Sequence, residues 1–416
     1  MKQFLILYLA LIFAFQFVIS QEIAEWRGPG RTGVYNETGL LKKWPTDGPE
    51  LLWSVDSLPI GYSSVSIANN LIYFTGIEDT LDVVIAVDVD GIIQWQTPYG
   101  RAWNNSFNHS RCTPTVESNR VYVSSGLGDV ACLNAINGVL IWTVNASEKF
   151  EGTYGRWGIA ESLLLVDDKV IYTPGGEFTT MVAFNKENGE LIWKSESLND
   201  RPSYTSPMIT EWGGKRMIIT ATQSYLFGVE PNSGTILWKF NIGVFARGEW
   251  RANNQTNTPL FHEGKIFHTS GYDHRCVMVE LSEKGDAAYF VWVSDMLDVH
   301  HGGVVRLGNY IYGANWENNR MGSWVCLDWN NGEVKYETEW ENKGSIISAD
   351  SMLYCYEEKN GHIALVKATP EKFEVTCSFK VPLGEGPHWS HLVIHEGIIY
   401  VRHGGALMAY SIADNN

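Results

Sequence analysis

Chemistry-bearing side chains in this chain gather in a few short segments. One run holds Arg101, Trp103, Asn108, His109 and Arg111; a second holds Tyr154, Arg156, Trp157 and Glu161; a third holds Arg247, Glu249, Trp250, Arg251 and Asn253. His300 and His301 are adjacent, and His388, Trp389 and His391 form another knot. Glu177, Gln223, Tyr272, His274, Asn315, Trp316, Glu357, Glu358, Arg402 and His403 complete a set that takes in seven of the eleven histidines. Histidine moves protons or holds metals, arginine steadies anions, and tryptophan offers a flat apolar face to a sugar ring. The candidates for ligand contact are Arg156, Trp157, Glu161, Arg247, Trp250, Arg251, His300, His301, Asn315, Glu357, His388, Trp389, His391, Arg402 and His403.

Two histidine pairs test the metal reading. Adjacent side chains of a strand point to opposite sides, so His300 and His301, read as strand residues, do not share an ion. His388-x-x-His391 chelates only as a loop, and no metal is assigned there. Glu161 precedes the apolar run Leu163-Leu164-Leu165. At the head of an inner strand its carboxylate faces an axial channel or pairs with Arg156.

Something must hold these segments together, and the rest of the chain supplies it. Gly-x-x-x-Trp recurs at Gly91 to Trp95, Gly138 to Trp142, Gly189 to Trp193 and Gly234 to Trp238. Successive anchors lie 39 to 54 residues apart with only strand signals between them, the sequence mark of a β-propeller blade. The spacing predicts an all-β, eight-bladed propeller of four-stranded antiparallel blades. The blades fall at 62–97, 111–145, 158–196, 204–241, 257–294, 301–339, 344–381 and from 388 onward. The last blade runs out of chain after Ala406–Ile412, and Leu51-Leu52-Trp53-Ser54-Val55 has outer-strand character without a blade of its own. That N-terminal strand is expected to complete the last blade and close the ring, removing the exposed edges. The propeller then spans 51–413, and 21–50 is a turn-rich lead-in crossing one face. In this geometry the candidate residues sit on the D–A and B–C loops of a single face. The opposite face carries turn chemistry such as Asn69-Asn70 and Asn137-Gly138.

Residues 1–20 read as a secretory signal: Lys2, the apolar stretch Phe4 to Val18, and a cleavage point before Gln21. The expectation is an exported protein, periplasmic or secreted, with no membrane span and no lipid-attachment Cys. A formal charge of −16 argues against nucleic acid. The six Cys fall on strands that skip a neighbour or on different blades, so they are expected to be buried thiols rather than disulfides.

The repeat resembles the tryptophan-docking motif Ala-x-Asp-x-x-x-Gly-x-x-x-Trp of quinoprotein-like, PQQ-binding-like propellers of the exported bacterial type. Ala183, Asn185, Gly189 and Trp193 fit closely; Cys132, Asn134, Gly138 and Trp142 keep it, and Cys326, Asp328, Gly332 and Tyr336 nearly so. Ala86, Asp88, Gly91 and Trp95 are one residue short, an insertion precedes Trp292, and Val375 stands in a Trp place. The resemblance implies PQQ and calcium as cofactors, but no full calcium-ligand triad of Glu, Asn and Asp can be assigned, Glu161 and Asn315 being its only candidate members. Against it, the chain has neither an adjacent Cys-Cys pair nor a Cys-x-x-Cys-His haem attachment. Three functions stay open. The leading one is a non-redox propeller binding a polar small molecule, a glycan or an exported protein partner, with outer-membrane assembly propellers as a sub-case disfavoured by the missing lipid-attachment Cys. The others are a quinoprotein (polyvinyl-alcohol-dehydrogenase-like) oxidoreductase and a polysaccharide hydrolase or lyase. The last would use His301 or His388 for proton transfer and Arg156 to stabilise an anion.

Overall fold

The computed structural model describes residues 23–247 and 254–414. The proposed signal and the candidates Trp250 and Arg251 lie outside the described residues. Eight antiparallel sheets form the ring, at 66–101, 115–145, 164–194, 208–241, 260–294, 305–338, 344–380 and 393–411. The last has three strands of its own, and Glu50–Val55 supplies the fourth, with Trp53 opposite Ala409. The ring is closed as the sequence expects. No helix among the described residues is long and apolar enough to cross a membrane.

The repeat motif can be read residue by residue. Its small residue faces the tryptophan across the two outermost strands: Cys132 opposite Trp142, Ala183 opposite Trp193, Ala86 opposite Trp95, Gly228 opposite Trp238. A larger side chain there would meet the indole. The Asx residue caps the turn, Asn185 Oδ1 accepting from the N–H groups of Glu187 and Asn188. In blade 4 Glu230 does the same for Asn232 and Ser233.

The glycine does two things. At Gly189 φ is +72°, a conformation that disfavours a Cβ. It also receives the tryptophan of the preceding blade, since a Cβ at Gly189 would lie 2.7 Å from Trp142 Cε3. Trp142 Nε1 donates to Lys186 O of that same turn at 2.9 Å. Trp95 on Gly138, Trp193 on Gly234 and Trp292 on Gly332 repeat the contact. Trp53 on Gly91 extends it across the closure seam, with Trp53 Nε1 donating to Val89 O at 2.6 Å. Five of the eight junctions are thus fastened by the same indole, over clusters such as Tyr122, Val130, Trp142, Val170 and Phe184, while Tyr336 and Val375 stand in its place in blades 6 and 7.

The lead-in does more than cross a face. Ala24 bridges Val116, Glu37 caps the N–H groups of Glu396 and Gly397, and Leu40 bridges Ala413. Val34–Tyr35 adds a parallel fifth strand to the inner edge of blade 7. All six Cys are free thiols, five of them buried.

Candidate functional site

The D–A loops and three B–C loops surround an axial cup of about 510 Å³. Arg111, Arg156, Trp157, Tyr204, His300, His301, Trp389 and His391 come from the D–A connections, Tyr62 from the segment after the closing strand, and Tyr272, Asn319 and Glu358 from B–C loops. Trp26 lines it from the lead-in, which enters on the A–B turn side, so the cup is floored by the chain's own N-terminal segment.

That floor is pinned by two buried arginines. Arg27 donates to Gly302 O (3.3 Å), Val304 O (2.6 Å) and Ile346 O (3.1 Å), and Arg31 to Ser162 O and Leu163 O. Arg27 Nη1 also lies 2.8 Å from His391 Nδ1. Arginine can only donate, so Nδ1 accepts and the Nε2–H of His391 donates to His301 O at 2.9 Å. Burial, reinforced by Arg27, holds the His391 pKa down to about 3. His391 is therefore a neutral strut between floor and wall.

Aromatic rings form a continuous belt round the wall. Tyr204 meets Trp157 at 5.8 Å, Trp157 stacks on Tyr272 at 5.7 Å, and Tyr272 meets His300 at 4.9 Å. The belt continues through His301 (3.8 Å), Trp389 (4.9 Å) and Tyr62 (4.8 Å). Tyr272 and Asp273 both have positive φ, +65° and +63°, a strained pair that turns the Tyr272 ring between Trp157 and His300. Arg156 lies over the Trp157 ring at 5.7 Å, and burial lowers the Arg111 pKa. Burial alone would raise Glu358, but His300 beside it, with His301 and Lys343, brings it down to about 2. Lys343 holds Glu358 Oε1 at 2.7 Å. Burial pushes His301 well below the ordinary histidine range, with His300 adding to it.

Of the candidates read from sequence, the cup gathers Arg156, Trp157, His300, His301, Trp389 and His391. The others turn elsewhere. Glu161 is sealed inside blade 3, accepting from Thr173 N and Oγ1, and burial raises its pKa to about 8; it neither faces the axis nor pairs with Arg156. His388 Nδ1 lies 2.6 Å from Tyr356 Oη and its ring stacks on His403 at 3.6 Å; His403 reaches Leu383 O and Gly386 O. With His391 occupied at both nitrogens, His388-x-x-His391 chelates nothing. Arg402 lies over Phe74 and donates to Pro59 O, and Arg247 pairs with Asp295. Asn315 bonds Glu337 and Ser323, and Glu357 caps the turn at Lys359 and Asn360.

The strand argument for His300 and His301 is also corrected. Both lie in the bend between Ser294 and Val305, outside any strand, and both line the cup. Gly302 and Gly303 allow this: a Cβ at Gly302 would strike Gly344 O, and one at Gly303 would strike Arg27. His-His-Gly-Gly was the signal available in the sequence. Tyr62, Tyr204 and Trp26 were missed because they read as strand starts or lead-in.

The calcium-bound quinone that the resemblance implies does not fit this wall. Calcium takes six to eight oxygens, yet Glu358 is the one carboxylate among the described lining residues, and a lysine already holds it. The implied ligands Glu161 and Asn315 are committed elsewhere, and no Cys lines the cup.

Residues 80–373 match the family model described as outer membrane protein assembly factor BamB. No curated protein sequence matches the chain. Among solved structures, BamB from Moraxella catarrhalis superposes with a TM-score of 0.64 at 12% identity, over 87% of this chain and 99% of that one. Quinohemoprotein alcohol dehydrogenase from Comamonas testosteroni gives 0.62 at 12%, over 93% and 80%. A europium-containing methanol dehydrogenase gives 0.61 at 13%, over 90% and 88%. These likenesses show a shared fold.

Proposed function

Because the chain belongs to the PQQ-like β-propeller family, whose ring presents loops around an axis, we propose that it is an exported binding protein for a small ring-bearing organic anion. The class is a sugar acid, free or at the end of a glycan, seated in the axial cup. One observation carries the reading: an unbroken aromatic belt with Arg111 and Arg156 on the same wall of a cavity sized for one or two sugar rings. The rings supply flat apolar faces, the guanidinium groups supply the carboxylate's partners, and Trp26 closes the far side to solvent. His301 and His391 stay neutral near pH 7 and His388 is outside the cup, so the wall is a recognition surface rather than a proton-transfer relay.

Calorimetric or tryptophan-fluorescence titration with glucuronate and galacturonate mono- and disaccharides tests it, with neutral glucose and cellobiose as controls. Saturable binding of the acids is expected, weakened about tenfold by Arg156→Ala and by added salt. Equal binding of acid and neutral sugars, or none of either, defeats the reading.

A protein partner is the second reading. Leu51 and Leu52, Ile92 and Ile93, Leu140 and Ile141, and Leu191 and Ile192 leave apolar side chains exposed on the outermost strands of four consecutive blades (8, 1, 2 and 3). Such a belt marks a docking surface more often than a solvent face. Paired Ile→Lys changes at Ile92 and Ile141 should abolish partner capture without altering sugar-acid titrations.

A further inference from the structure

We infer that His300, His301 and Glu358 form a site for a divalent transition-metal ion of the zinc class on the wall of the cup, with its open position facing the cavity. This goes beyond the anion reading, since the ion needs no organic ligand to bind.

The three donors converge from two loops, the D–A bend after blade 5 and the B–C turn of blade 7, and their ligand atoms all lie within 4.8 Å of one another. His300 Nδ1 and Glu358 Oε2 are 3.5 Å apart. A charge-assisted hydrogen bond closes to roughly 2.7–2.9 Å. Donors around a tetrahedral ion at about 2.0–2.2 Å stand roughly 3.3 Å apart, so the observed gap is nearer to ion spacing.

The other nitrogen of His300 is already held, with Tyr272 Oη 2.8 Å from Nε2. Anchoring the distal nitrogen is how a protein aims a metal-binding imidazole. Among the described residues none hydrogen-bonds the His301 ring, whose backbone is fixed from beneath through His391 and Arg27. Two imidazole nitrogens and one carboxylate oxygen suit zinc, copper or nickel better than calcium or magnesium. Three protein ligands leave a fourth position for water or for the carboxylate of a cup ligand. Among the described residues Lys343, on Glu358 Oε1, is the one cationic competitor, leaving Oε2 as the donor.

The test uses the full, untagged chain without any organic anion. Zn²⁺ is titrated by calorimetry with metal analysis, and Co²⁺ is followed by its visible absorption. Wild type is expected to take one equivalent of Zn²⁺ and to give cobalt d–d bands of a low-coordinate site, with His301→Ala weakened at least about tenfold. Lys343→Met keeps the three donors, frees both carboxylate oxygens and should tighten Zn²⁺ binding several-fold, so the inference stays exposed even if His301→Ala fails to fold. Wild type that binds no Zn²⁺, a folded His301→Ala that binds it equally, or a Lys343→Met with unchanged or weaker affinity each overturns the site. Because no sugar is present, failure here leaves the anion reading standing, and failure of sugar-acid binding leaves the metal result standing.

Discussion

Gly189→Ala is the sharpest probe of how the ring is fastened. Two costs are visible in the structure. At φ +72° an alanine sits in the left-handed region, at roughly 1–2 kcal/mol. Its Cβ would also press on Trp142, with Cε3 at 2.7 Å and Cδ2 at 2.8 Å, an overpacking worth about 1–3 kcal/mol. The sum, about 2–5 kcal/mol, is large for the loss of no contact. The two terms separate in a double-mutant cycle with Trp142→Leu. Removing the indole removes the overpacking but not the backbone strain, so the pair should be less destabilised than the singles sum to, by about 1–3 kcal/mol. Guanidinium unfolding followed by circular dichroism, which does not depend on the altered tryptophan, reads all four proteins. Substitutions additive to within about 0.5 kcal/mol, or a Gly189→Ala protein as stable as wild type, would refute the claim that this glycine receives the neighbouring blade.

Three further predictions bear on charge and on the floor of the cup. Glu161 is protonated in the fold up to about pH 8 but ionises near 4.5 when unfolded, so the folded state binds the extra proton and stability falls as pH rises through that window. The slope is about 1.4 kcal/mol per pH unit; Glu161→Gln should flatten it, and an unchanged pH profile of urea midpoints would contradict the assignment. His388 behaves oppositely: burial, with His403 adding, depresses it from 6.5 to about 3, so stability present above pH 6.5 is lost as pH falls toward 3. His388→Gln, whose amide can still hydrogen-bond Tyr356, should shallow that acid limb in the same assay. Arg27→Met strips the donors from three backbone carbonyls and from His391. It should cost at least about 3 kcal/mol and weaken sugar-acid binding; thermal unfolding near wild type with intact binding would show that the floor is dispensable.

The fold was legible because its repeat is enforced by contact. Gly138, Gly189 and Gly234 keep their spacing to Trp142, Trp193 and Trp238 since each glycine seats an indole from the blade before. The orphan strand around Trp53 was legible for the same reason. The loop face was legible too, but not which side chains turn inward. His388 and His391 lie three residues apart, yet one packs between blades 7 and 8 and the other braces the cup, a choice set by Tyr356, His403 and Arg27. Glu161 looked axial because it heads an inner strand, but Thr173 draws it into its own blade. Trp26 and Arg27 belong to a segment whose role appears only once the ring exists to receive it.

The pairing of Trp53 with Ala409 has a consequence for how the molecule is made. The strand Glu50–Val55 is synthesised about 350 residues before its partner, so it must wait, unpaired, while the blades between them are made. Seven blades can condense locally as they emerge, whereas the seam demands a contact that spans all of them in sequence and should be the slow, closing event of the ring's assembly. A nascent or clipped chain is therefore an open arc with two sticky edges rather than a smaller stable protein. A circular permutant that makes Glu50–Val55 contiguous with Ala406–Ser411 should reach the native state sooner.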